Sequence, residues 1–67
     1  MPIIEATITE GREPEKIRSL IHELTYAAHR ALDAPLASVR VIVREVPPTH
    51  FAAADETIVE RRAAAQD

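Results

Sequence analysis

The chain has 67 residues, a formal net charge of -3 and 46% hydrophobic residues, which leaves room for one domain and excludes a disordered tail. It has no cysteine, so neither a disulfide nor a thiolate metal site can support a domain that buries only about 60% of its unfolded surface. One Phe, one Tyr, no Trp and a mildly acidic balance argue against a nucleic-acid binder, which wants a basic face and stacking rings.

A small, apolar, unstapled chain is expected to share its core between subunits. No apolar run approaches the ~18 residues of a membrane span. The start lacks a basic stretch followed by an apolar one, so no signal peptide is expected. The expected setting is a soluble, cytoplasmic one.

Met1-Pro2-Ile3-Ile4 opens the chain. The small second residue is of the kind that lets an initiator Met be trimmed, which would leave Pro2 as a free secondary amine. Desolvation and nearby cations lower the proton affinity of such an amine, and a base poised near neutrality is a good proton acceptor. On Met-Pro alone the simpler reading is a terminal proline before a strand. Ile3 to Thr9 reads as that strand, with Ile4, Ala6 and Ile8 on one face and Ile3, Glu5, Thr7 and Thr9 on the other. Gly11, the only glycine, breaks the strand and permits a turn with positive φ. Arg12 sits on the turn.

Glu13-Pro14-Glu15 opens a helix, with Pro tolerated at the first position and acids suited to the positive end of the dipole. Ile17, Leu20, Ile21, Leu24, Ala28, Ala31 and Leu32 form one apolar stripe. Pro35 disfavours helix at Ala34, so the helix should end near Leu32 or Asp33. A connector over Asp33 to Ser38 leads to a second strand, Val39 to Val46, with Val39, Val41 and Val43 on one face and Arg40, Ile42 and Arg44 on the other. Strand, helix, strand with a short return predicts a right-handed unit with parallel strands. Two strands and one helix cannot close a core.

Pro47-Pro48 stops the second strand, and Thr49-His50-Phe51 follows as a turn. Ala52 to Asp55 carries no clear signal. Thr57-Ile58-Val59 has strand character and reads as a short terminal strand. Glu60 onward reads as a solvated tail. The expectation is one α/β (α+β) domain over residues 1–67, with parallel strands, a short C-terminal strand or hairpin, and about 57–67 as a partly flexible tail.

Arg40 interrupts an otherwise apolar strand. It must pair with an acid, lie at a subunit boundary or meet an anionic ligand, and its fork suits a carboxylate. Arg12 has the same range of roles. Arg44 reads as a solvated or interface charge. His22 and His29 are seven apart on one helix, not the four of a helical metal pair, and no carboxylate completes a set, so no metal site is expected. His50, beside Phe51, reads as an ordinary loop histidine, with a pocket-lining role as the alternative.

Four features occur together: Pro2 directly after Met1, the Glu10-Gly11-Arg12 turn, the run Leu32-Asp33-Ala34-Pro35-Leu36 leading to Ser38-Val39-Arg40-Val41, and His50-Phe51. In these the chain resembles the 4-oxalocrotonate tautomerase family of small, cofactor-free tautomerases, over about residues 1–56. The resemblance implies a β-α-β subunit in a homohexamer, a trimer of dimers. It implies Pro2 as general base and Arg40, from a neighbouring subunit, on the 2-oxo or 2-hydroxy group and its adjacent carboxylate. Arg12 would hold a distal carboxylate, and Phe51 would form part of an apolar wall. The implied reaction is ketonisation of a 2-hydroxydienoate such as 2-hydroxymuconate, of the kind met in aromatic degradation. The family usually carries glycines after Phe51, where this chain has Ala52, Ala53, Ala54 and Asp55. Related enzymes add water to 3-haloacrylates with an extra carboxylate, for which Asp55 or Glu56 would have to stand in. A non-catalytic oligomeric module on the same fold is the remaining reading.

Overall fold

The computed structural model describes residues 1–65. Strand β1 spans Ile3–Thr9, helix α1 Pro14–Leu32 and strand β2 Arg40–Val46. Val39, expected at the start of β2, instead closes a single 3-10 turn over Leu36–Ser38, its N–H bonded to the Leu36 carbonyl. Helix α1 begins with Pro14 in its first turn and stops where Asp33 turns left-handed at φ 53. His29 Nδ1 lies 2.6 Å from the Ala34 carbonyl; a donated bond there satisfies one acceptor beyond the helix end.

Strands β1 and β2 pair in parallel, with Ile3 opposite Arg40 and Thr9 opposite Val46. Paired residues share a face. Ile4, Val41, Ala6 and Val43 therefore face α1, and all four are half-buried. The other face carries Ile3, Glu5, Thr7, Arg40, Ile42 and Arg44 and is open. An exposed ion pair, Glu5 to Arg44 at 3.3 Å, crosses it and contributes little to stability. Arg44 is thus a solvated charge within this subunit.

The chain forms almost no core alone. Among the described residues only Ala28 and Val39 are buried, while Ile3 is 57%, Leu32 63% and Ile42 42% exposed. The radius of gyration is 15.4 Å, against about 11 Å for a compact chain of this length.

The C-terminal part bears out the expected hairpin and departs from the expectation beyond it. A 3-10 turn over Pro48–His50 leads to a hairpin of β3, Ala52–Ala53, and β4, Glu56–Thr57. The expected terminal strand thus ends at Thr57, and Ile58–Ala65 is a helix, α2, where strand character and a solvated tail were read. A capping box causes the switch: Glu60 N–H donates to Thr57 Oγ1 at 3.1 Å and Thr57 N–H donates to Glu60 Oε1 at 2.8 Å. That reciprocal pair satisfies two helix-start donors and outweighs the strand preference of Ile58 and Val59. The hairpin turn is made by Ala54 at φ 53 and Asp55 at φ 65, so alanine does adopt the left-handed conformation here. No helix among the described residues is long and apolar enough to cross a membrane.

Candidate active site

Pro2 precedes β1 and is half-buried. Its carbonyl accepts the Arg40 N–H at 2.9 Å, so the parallel pairing sets Pro2 beside the first residue of β2. Strand alternation turns Pro2 towards the helix side, with Val39, and Arg40 towards the open face, with Ile3. Arg40 is exposed, and its Nη1 donates to the Ala37 carbonyl at 2.7 Å and the Val39 carbonyl at 3.3 Å. These bonds fold the guanidinium against the connector. No acid pairs with it among the described residues, which leaves the subunit boundary or an anionic ligand from the roles open to it.

Arg12 stands at the other end of the sheet. Gly11 at φ 122 makes the turn, and Arg12 Nη1 donates to the Thr9 carbonyl at 2.9 Å. The seven residues of β1 separate Arg12 from Pro2 by roughly 20 Å. Arg12 lines two grooves that flank the first turns of α1. One, of about 310 Å³, is floored by Pro14, Ile17 and Ile21 and edged by Arg18 and Glu45. The other, of about 460 Å³, is lined by Ile8, Lys16, Ile17 and Leu20. Arg12 therefore faces apolar surface with a surplus of positive charge.

Phe51 follows the turn after β2 and is half-buried, its carbonyl accepting the Ile58 N–H at 2.9 Å. It too lies beyond the end of β2 remote from Pro2. One copy thus makes Pro2 and Arg40 backbone neighbours with side chains on opposite faces, and holds Arg12 and Phe51 apart from both. Of the two acids named as candidates for activating water, Asp55 forms the hairpin turn and Glu56 pairs with Arg61 at 3.2 Å. His50 Nδ1 is 2.8 Å from Thr49 Oγ1, and His22 and His29 flank the Tyr26 ring. None of the three histidines reaches Pro2 through these contacts. Thr9, which sequence reading passed over as a strand residue, is the partner of Arg12; its position three residues before the arginine was the available signal.

The family model described as "Tautomerase enzyme" matches residues 2–61. A 2-hydroxymuconate tautomerase of Stutzerimonas stutzeri is 49% identical over 57 residues, covering 85% of this chain and 90% of the relative. TomN, a 4-oxalocrotonate tautomerase homologue in the tomaymycin biosynthetic pathway, superposes with a TM-score of 0.90 at 44% identity, covering 92% of this chain and 95% of TomN. A heterohexamer 4-oxalocrotonate tautomerase from Chloroflexus aurantiacus superposes with a TM-score of 0.87 at 42% identity, covering 90% of this chain and 97% of that one.

Proposed function

The chain belongs to the tautomerase family and is an isomerase of the 4-oxalocrotonate tautomerase type; from that premise we propose that it ketonises 2-hydroxydienoates such as 2-hydroxymuconate, with Pro2 as the general base. The observation that carries this reading is the position of Pro2, half-buried at the sheet edge beside Arg40. Removal of Met1, which is 77% exposed, frees the secondary amine. While Met1 is attached that nitrogen is a tertiary amide without basicity.

The site is completed between copies, because Arg12 and Pro2 occupy opposite ends of one strand. The outer edge of β1 is unpaired in the two-stranded sheet. Antiparallel pairing of two β1 edges sets Pro2 of one copy against the end of β1 that carries Arg12 in the other. It also makes a four-stranded sheet with both helices on one face. Exposed Ile3, Ile42 and Leu32 leave apolar surface for further copies, which supports a homohexamer built from three such pairs. Arg40 points away from its own Pro2 face, as suits a residue that serves a neighbouring site.

In that site Pro2 takes the proton from the 2-hydroxyl group, and the electron pair moves through the diene. The carbon beside the distal carboxylate then receives the proton from Pro2, leaving a conjugated 2-oxo acid. Arg40 of a neighbouring copy offsets charge on the 2-oxygen. Arg12 holds the distal carboxylate next to the carbon that is protonated, a positioning effect. Phe51 adds apolar wall that excludes water. The test is ultraviolet-monitored ketonisation of 2-hydroxymuconate by Met1-free protein. Pro2→Ala should slow it by about 100-fold or more with the fold retained; near wild-type turnover in that variant overturns the assignment.

A further inference from the structure

We propose that the Thr9 hydroxyl is a second donor to the carboxylate held by Arg12, which makes Thr9 a residue that selects dicarboxylate substrates. The inference rests on the role proposed above for Arg12. Thr9 ends β1 on the open sheet face, opposite Val46, and is half-buried. Arg12 Nη1 is 2.9 Å from the Thr9 carbonyl and 3.5 Å from Thr9 Oγ1. The short bond to the carbonyl is the anchor that fixes the guanidinium against this residue.

Donors remain free on both side chains. A guanidinium carries five N–H groups, and among the described residues only Nη1 of Arg12 is engaged. Nη1 meets the hydroxyl on its acceptor side, so the Thr9 O–H points elsewhere, and among the described residues it has no acceptor. A carboxylate that accepts from the free edge of the guanidinium brings an oxygen within reach of that O–H. The strand itself does not require the hydroxyl, since valine has the same shape and a comparable strand preference. An uncommitted donor in a half-buried position, next to a fixed cation, matches an anionic oxygen and mismatches an apolar tail.

The test uses Thr9→Val, which keeps the shape, and Thr9→Ser, which keeps the hydroxyl. The binding probe is cis,cis-muconate, a dicarboxylate without the enol, titrated calorimetrically. Thr9→Val should weaken muconate binding about tenfold, the usual worth of a hydrogen bond to a charged group, and Thr9→Ser should restore it. With 2-hydroxymuconate the KM should rise by a similar factor at unchanged kcat, while the KM for the monocarboxylate 2-hydroxy-2,4-pentadienoate stays at the wild-type value. Equal muconate affinity in wild type and Thr9→Val overturns the proposal, as does equal damage to both substrates. Unchanged Thr9→Val binding alongside a dead Pro2→Ala would remove Thr9 and leave the base in place. Muconate binding that depends on Thr9, in protein that ketonises nothing, would uphold Thr9 and remove the base.

Discussion

Replacing Ala54 by glycine should stabilise the protein, although the side chain removed is a single methyl group. Ala54 holds φ 53 and Asp55 φ 65, the paired left-handed conformation of a two-residue hairpin turn. For alanine that conformation costs about 1–2 kcal/mol. Glycine removes the penalty but gives the unfolded chain about 0.4–1 kcal/mol of extra freedom. The balance is a gain of about 0.5–1 kcal/mol per chain, or about 5 °C in Tm for a chain of this size. Thermal unfolding at one fixed protein concentration is the assay, because an oligomer's Tm depends on concentration. Ala53→Gly is the control: Ala53 lies in β3 and is not among the positive-φ residues, so it should lose about 0.5–1 kcal/mol. Equal loss at both positions would refute the strain reasoning.

Two further changes probe other parts of the account. Thr57→Ala removes the side chain of the capping box and should destabilise α2 by about 1 kcal/mol, read as faster amide exchange over Ile58–Ala65 with ketonisation unchanged. Ile42→Glu puts a carboxylate opposite Glu5 on the open sheet face, where burial against another copy would cost several kcal/mol. Sedimentation should then report a smaller assembly, and ketonisation should fall with it; an unchanged mass would show that this face is not an interface.

The β-α-β core was legible because each element repeats a simple period. Alternation of Ile4, Ala6 and Ile8, and of Val41 and Val43, marks strands packed on one side. The stripe from Ile17 to Leu32 marks the helix between them, and a short return makes the strands parallel. The register of that pair, with Ile3 opposite Arg40, is what makes Pro2 and Arg40 backbone neighbours. The C-terminal region was harder for definable reasons. Thr57-Ile58-Val59 has the β-branched character of a strand, yet Thr57 and Glu60 have the spacing of a capping box. Local hydrogen bonding at the helix start prevailed over side-chain preference. Ala54 carries no sign of positive φ, since its neighbours in the turn and not its own chemistry impose it. The separation of Arg12 from Pro2 follows from strand direction, and their proposed reunion requires a second copy, which the pattern of one chain does not encode.

Mixed assemblies test that reunion most directly. Pro2→Ala and Arg12→Ala proteins, unfolded together in equal amounts and refolded, form assemblies in which some sites draw Pro2 from one variant and Arg12 from the other. With random assortment, roughly a quarter of the sites regain both residues, since a pairing between copies needs one chain of each kind. At low 2-hydroxymuconate concentration the mixture should therefore recover roughly a quarter of wild-type ketonisation, well above either variant refolded alone. A mixture no more active than the mean of its parents would mean that Pro2 and Arg12 do not meet across copies, and the shared site would be wrong.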